Sequence, residues 1–221
     1  MNELEEYVMA GYPAIFLETP EEERAIEICL RLAKKLDFKF VDWPQSGNEK
    51  SDYTKNPTTV LLDGLRLDED ERWIYCVIDF HPFLNSPNVW RTAKECFRQA
   101  KEKGVTYIFI SAKFQMIPEL EREVVVLDLP LPSKEELKKL AINILRDNEL
   151  EIKNVSEASE AAKGMTLNEA ENAFGISISK CGKLDFQTIC SVKKDIICRD
   201  GILEYELSNQ SVDSIGGLEK F

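Results

Sequence analysis

Two nearly continuous apolar runs, RWIYCVIDF (72–80) and VTYIFIS (105–111), constrain the fold of this 221-residue chain more than any other feature. Such runs are typical of central strands in a parallel sheet, because helices cover both faces of that sheet. Further strands are predicted at 14–18, 38–42 and 124–128. The strands alternate with helical patterns, which predicts right-handed crossovers and an α/β fold, a five-stranded parallel sheet flanked by helices.

Helix-start signals support this alternation. After the first strand, Thr19 is a predicted N-cap, with Pro20 at the first helical position and Glu22 completing a capping box. A second helix is predicted between Ser86 and a stop at Gly104. The apolar face predicted for the first helix consists of Ile26, Cys29, Leu30, Ala33 and Leu36.

The pattern changes around residues 130–132, after which no strand is predicted. Four helices are predicted beyond this point. The first begins at Ser133 with a capping box to Glu136, and the second lies near 155–163. The third begins at Thr166 with a capping box to Glu169, and the fourth covers 185–200. Residues 133–203 are therefore expected to form a small helical bundle. The polar stretch 43–57 is predicted to be a loop.

Charge and composition exclude several classes of partner. The formal net charge of −12 disfavours nucleic acid and anionic membrane surfaces, since both need a basic face. No apolar run approaches the roughly 20 residues that cross a bilayer. The six cysteines include no C-x-x-C pair and the chain has one histidine, which disfavours a metal site and suits a reducing cytoplasm.

The junction between the first strand and the first helix is where nucleotide-binding proteins carry a glycine-rich phosphate loop. Here the junction is ETPEEE, residues 18–23. A phosphate would meet like charge at Glu21, Glu22 and Glu23, and the G-K-[ST] lysine is missing. The segment therefore predicts a well-capped structural helix rather than a phosphate site.

Asp79 ends the third predicted strand, where nucleotide hydrolases hold Mg²⁺. Phe80 follows it, so the second acid that would orient water is missing. An aspartate at a strand end is also a common turn residue, and this structural interpretation is favoured. His81 is likewise interpreted as a hydrogen-bonded structural residue rather than a base.

Asp79 also fits a third interpretation, as the phospho-acceptor of a receiver-type domain with Ser111 at the end of the next strand. That chemistry needs paired acids after the first strand and a lysine after the fifth. Glu18 stands alone, and the fifth strand continues into LDLPLP. Two of the four parts are absent, so this interpretation ranks last.

The order of the segments DFHPFL, VTYIFISAKFQMIPEL and EVVVLDLPLPSKEEL, followed by a helical bundle, resembles the N-terminal half of a group of AAA-family ATPases. These are related to the plastid and cyanobacterial hypothetical reading-frame proteins, in which a degenerate AAA module precedes an intact one. The tail SVDSIGGLEKF resembles the opening of the intact module. By that likeness Ile215, Gly216 and Gly217 would lie on its adenine side, and the chain would be part of a longer protein.

The resemblance, which spans essentially the whole chain, implies three segments. Residues 1–132 would be a degenerate AAA-like core of P-loop NTPase type with strand order 5-1-4-3-2. Residues 133–203 would be a helical lid, and residues 204–221 a linker and the truncated start of the following module.

The resemblance also implies lost chemistry at the matching positions. Residues 18–24, including Glu18 and Thr19, occupy the Walker A place without its functional residues. Asp79 matches the first Walker B acid, and Ser111 lies near the sensor-1 position. Residues 164–172 correspond to the sensor-2 region and contain no arginine.

The function expected from these observations is that of a non-catalytic module without a cofactor of its own. It would serve assembly, regulation or recruitment for a downstream AAA module that uses ATP and Mg²⁺, in the cytoplasm or the plastid stroma. Its expected partners are that module, a homo-oligomeric ring and a protein substrate. The alternatives are a divergent nucleotide hydrolase that uses Asp79 for Mg²⁺ and, less favoured, the phospho-receiver.

Overall fold

The computed structural model describes residues 2–43, 56–115 and 117–199. The chain divides into two compact units, Met1–Pro130 and Leu131–Phe221. The predicted linker 204–221, with Ile215, Gly216 and Gly217, lies outside the described residues, as does most of the predicted loop 43–57.

The first unit contains a five-stranded parallel sheet. Its strands are β1 (Ala14–Glu18), β2 (Lys39–Trp43), β3 (Trp73–Ile78), β4 (Val105–Ser111) and β5 (Val125–Asp128). The order β2-β3-β4-β1-β5, with every pairing parallel, confirms the predicted fold class and strand order. β3 ends at Ile78, before Asp79, so it is shorter than the apolar run that predicted it.

The helices of this unit include the two that were predicted, α2 (Glu22–Leu36) and α4 (Pro87–Lys103), and three further elements. The further elements are α1 (Asn2–Met9), α3 (Pro57–Gly64) and a 3-10 helix that covers His81–Asn85. The eight-residue helices α1 and α3 were not predicted, because two turns are too short to show a clear period of 3.6.

Alternating side chains of the strands build two separate apolar layers. On one face, Phe16, Tyr107 and Phe109 pack with α3 and α4. On the other face, Leu17 and Ile110 pack with α1 and α2. Because successive strand residues point to opposite faces, the two apolar runs supply both layers of an α/β/α sandwich.

The start predicted for α2 is wrong by two residues. The N-cap is Glu21, and no side chain caps the helix. Thr19 instead continues the pairing of β1 with β4, because its backbone N–H donates to the carbonyl of Ser111 at 2.8 Å. The apolar face also differs from the predicted one, since the buried residues are Arg24, Ala25, Ile28, Cys29, Leu32 and Ala33.

The second unit is helical throughout its described residues. It contains α5 (Lys134–Asp147), α6 (Val155–Ala161), α7 (Leu167–Cys181) and α8 (Phe186–Arg199). Both predicted capping boxes are present, Ser133 with Glu136 and Thr166 with Glu169. These helices enclose an apolar core of their own, around the fully buried Phe174.

Candidate functional site

The carboxyl edge of the sheet brings the predicted site residues of three neighbouring strands together. Glu18 of β1 lies opposite Ser111 of β4 in the sheet register. Asp79, directly after β3, donates its backbone N–H to the carbonyl of Ile110 at 2.9 Å. In open α/β sheets ligands bind outside the carboxyl ends of the strands, so this edge is the candidate site.

The junction between β1 and α2 is too short to wrap a phosphate. Only Thr19, Pro20 and Glu21 separate the end of the strand from the first helical residue. The N–H of Thr19 donates to Ser111, the N–H of Glu21 donates to Thr19 Oγ1 at 3.0 Å, and proline has no N–H. A phosphate-binding loop works through free backbone N–H groups, and these three junction residues have none to offer. The first turn of α2, which has no side-chain cap, carries the carboxylates of Glu22 and Glu23.

The guanidinium of Arg24, next to the junction, is paired within the protein. Arg24 forms an ion pair of 2.8 Å with Glu21, and both side chains are more than 90% buried. The same guanidinium donates to the carbonyl of Pro130 at 2.8 Å. Glu21 is thus neutralised, and its charge does not add to that of Glu22 and Glu23 as the sequence suggested.

The exposed Glu22 lies near Asp79 at the candidate site, close enough for their carboxyl groups to share a hydrogen bond when one of them is protonated. Partial burial, the nearby charges of Asp79 and Glu23, and this hydrogen bond together raise the pKa of Glu22. Asp79 has a φ of 49°, a left-handed conformation that aspartate tolerates better than most residues. The site therefore holds two acids, one from the phosphate-loop position and one from the predicted magnesium position.

Glu18 and Ser111 stabilise the loop after β4. A carboxylate oxygen of Glu18 accepts a hydrogen bond from the N–H of Phe114 at 2.5 Å. The hydroxyl of Ser111, which is 2% exposed, donates to the carbonyl of Lys113 at 3.3 Å. The ring of Phe114 then stacks on Phe16 with a centroid distance of 3.7 Å. These contacts give both polar residues a structural partner.

Phe80 belongs to the core. It is 1% exposed, and its ring lies 5.5 Å from that of Phe109 and 5.8 Å from that of Phe83. The neighbouring His81 is half-buried, and its buried Nδ1 has no hydrogen-bond partner within the described residues, contrary to expectation. An apolar ring thus fills the space beside Asp79.

The described residues show neither a metal cluster nor a membrane-spanning helix. Within residues 2–43, 56–115 and 117–199, no group of three or more His, Cys, Asp or Glu side chains has the placement of a metal site. The pair formed by Glu22 and Asp79 is smaller than such a group. No described helix has the length and apolar character that spanning a bilayer requires.

Sequence comparison identifies relatives along most of the chain. A family model described as the SpoVK-like AAA ATPase N-terminal domain matches residues 1–129. The AAA domain-containing protein ycf46 of Trieres chinensis is 27% identical over 231 residues, and that of Pyropia yezoensis is 26% identical over 220. These alignments cover 99% and 94% of the chain but 46% and 45% of the relatives. The chain thus spans about half the length of the curated relatives it matches.

Solved structures share the fold at low sequence identity. Caenorhabditis elegans PCH-2 has a TM-score of 0.58 at 13% identity, covering 89% of the chain and 68% of PCH-2. Rhizobiales Trip13 has a TM-score of 0.54 at 12% identity, covering 86% of the chain and 75% of Trip13.

Proposed function

The chain belongs to the family of SpoVK-like AAA ATPase N-terminal domains, and we propose that it is a degenerate module that neither binds nor hydrolyses ATP. Its role is to serve the assembly or the regulation of a following AAA module in a longer protein, or to recruit a substrate or partner for that module. That following module uses ATP and Mg²⁺, and Ile215, Gly216 and Gly217 contribute to its adenine side. The expected location is the cytoplasm or the plastid stroma.

The contact between Glu22 and Asp79 carries this proposal. In a nucleotide hydrolase the strand-end aspartate holds Mg²⁺ beside the phosphates. Here the carboxyl group of Glu22, from the first turn of α2, lies near that aspartate. A triphosphate would add further negative charge without a lysine to offset it, and the three residues of the short junction have no free N–H groups to cradle it.

Isothermal titration of the chain with MgATP tests the proposal directly. The expected result is no binding heat up to about 1 mM nucleotide. The longer protein that contains this chain is the positive control, since its following module is expected to bind. A micromolar dissociation constant for residues 1–221 alone would overturn the proposal.

The hydrolase alternative assigns magnesium binding to Asp79. It requires measurable turnover by the chain and a loss of that turnover in Asp79→Asn. In the longer protein, the double variant Glu22→Gln with Asp79→Asn is expected to keep its ATPase rate within about twofold, because neither residue takes part in the chemistry. The receiver alternative requires labelling of Asp79 by a small phosphodonor such as acetyl phosphate.

A further inference from the structure

A groove lies between α1 and α2, on the side of the first unit where these helices cover the sheet. It has a volume of about 150 Å³ and is lined by Leu4, Glu5, Ile28, Arg31, Leu32 and Lys35. Leu4, Ile28 and Leu32 also belong to the apolar layer beneath the two helices. Half of the lining residues are therefore apolar, and the other half are charged.

The charged groups of the groove differ in whether they have a partner. Lys35 forms an ion pair of 2.6 Å with Glu5, which joins α2 to α1. Arg31 is exposed and makes no hydrogen bond or ion pair within the part of the chain that the structure describes. An unpaired guanidinium thus stands beside an apolar groove, in a protein whose net charge is −12.

We propose that this groove docks an acidic segment of a partner protein, which inserts one apolar side chain while a neighbouring carboxylate binds Arg31. A cavity of roughly 150 Å³ is large enough for a benzene ring, so one phenylalanine or leucine side chain fits. A guanidinium binds a carboxylate through two parallel hydrogen bonds.

The local charge of the groove, with Arg31 and Lys35 against Glu5, favours this occupant. An acidic segment is repelled by most of a surface with this net charge, and Arg31 offers a local exception. A second copy of the chain carries the same −12, so self-association works against this charge. One unpaired cation is also too little for nucleic acid, where binding depends on neutralising several phosphates.

The groove is distant from the β1–α2 junction. Arg31 lies nine residues after Glu22 on the same helix, a rise of roughly 14 Å. Docking at the groove therefore does not depend on whether the β1–α2 junction binds ATP. The groove proposal and the proposed function can fail independently.

Fluorescence anisotropy with the whole chain tests the docking. The probe is a fluorescein-labelled decapeptide of glutamates and glycines with one central phenylalanine. Two matched peptides replace the phenylalanine by serine or every glutamate by glutamine. We expect a dissociation constant on the order of 100 μM for the probe at about 0.15 M salt, which screens the repulsion from distant charges, and at least about tenfold weaker binding for both matched peptides.

Two charge-reversal variants locate the site. Arg31→Glu is expected to weaken probe binding by about tenfold or more, because it replaces the carboxylate-binding group by a like charge. Lys101→Glu, at an exposed position of α4, makes the same change in net charge and is expected to alter binding by less than about twofold. Thermal unfolding followed by circular dichroism verifies that both variants fold.

Several results would overturn the proposal. These are equal binding of the phenylalanine and serine peptides, equal losses in the two variants, or no binding of the probe at millimolar protein. Sedimentation that shows self-association of the chain, abolished by Arg31→Glu, would instead assign the groove to a second copy.

Discussion

Glu22 and Asp79, 57 residues apart in sequence, lie close enough at the carboxyl edge of the sheet for their carboxyl groups to interact. One belongs to the first turn of α2, and the other follows β3 in a left-handed conformation. At neutral pH this contact places like charges together, and nearby Glu23 adds to the repulsion. The effect of this repulsion on the free energy of unfolding can therefore be measured.

Replacing Glu22 by glutamine is expected to stabilise the protein at neutral pH. Because the folded-state pKa of Glu22 lies above its ordinary value of 4.5, this carboxyl contributes stability that is fully present below that value. The contribution is lost as the pH rises through the folded-state pKa. Glu22→Gln removes this loss, and we expect a gain of roughly 0.3 kcal/mol in the free energy of unfolding near neutral pH.

Glu23→Gln is the matched control for this experiment. It also removes a negative charge from the first turn of α2, and with it a favourable interaction with the helix dipole, but leaves the contact with Asp79 in place. Urea unfolding of both variants should show a difference near neutral pH that disappears below about pH 4. A pH-independent difference would show that the two carboxyl groups do not interact.

The proximity of Glu22 and Asp79 was not predicted from the sequence, whereas several local features were. The apolar runs 72–80 and 105–111 predicted β3 and β4, because a long run of this kind has few other uses. The capping boxes at Ser133 and Thr166 are local patterns and were predicted correctly.

The errors concern features that depend on the folded chain. Thr19 was predicted to cap α2, but the sheet register assigns its N–H to Ser111 instead. The proximity of Glu22 and Asp79 likewise depends on strand order and on the rotation of α2 about its axis. By contrast, the pairing of Glu21 with Arg24 follows the usual i, i+3 spacing on a helix and was within reach of the sequence.

Phe80→Glu would restore the second acid beside Asp79 and is expected to unfold much of the protein instead. The side chain lies among the rings of Phe83 and Phe109, and burying an unpaired charge there costs more than removing the ring. We expect a loss of at least about 4 kcal/mol, against about 1 kcal/mol for Phe80→Leu. Chemical denaturation measures both. A Phe80→Glu protein as stable as the wild type would contradict the core role of Phe80.

Gly64→Ala is expected to destabilise the first unit. A Cβ at this last residue of α3 would lie 2.6 Å from ring carbons of Tyr107. That ring is fully buried, and its hydroxyl donates to the carbonyl of Leu61 at 2.5 Å, so it has no room to move. We expect a loss of about 2 kcal/mol in the free energy of unfolding.

The matched control is Gly175→Ala. Gly175 lies inside α7, and a Cβ there would have nothing within 4 Å. Alanine is the better helix former, so a gain of roughly 0.5–1 kcal/mol is expected. Opposite signs for the two substitutions in thermal unfolding support the packing described here, and equal signs contradict it.

Thiol labelling should divide the six cysteines into two classes. Cys181 and Cys198 are exposed, whereas Cys29, Cys76, Cys96 and Cys190 are buried. Burial raises the pKa of Cys96 to about 11, and the thiolate is the reactive form. Two thiols are therefore expected to react promptly with a disulfide reagent in the native protein, and all six after unfolding. Prompt reaction of Cys96 would show that this face of α4 does not pack against the sheet.

Arg24→Met is expected to destabilise the first unit by about 3 kcal/mol, because it leaves the buried carboxylate of Glu21 without the guanidinium. It also removes the hydrogen bond to the carbonyl of Pro130, next to Leu129, whose N–H donates to Glu18. Hydrogen exchange of the Leu129 amide should therefore accelerate in this variant.

The double variant Glu21→Gln with Arg24→Met distinguishes the buried charge from the lost hydrogen bond. It should recover much of the stability if the unpaired carboxylate is the main cost, but the faster exchange of Leu129 should persist. A single Arg24→Met variant with wild-type stability would mean that the ion pair is not held at the β1–α2 junction. The arginine would then be available to an incoming phosphate, and the proposed loss of nucleotide binding would lose one of its supports.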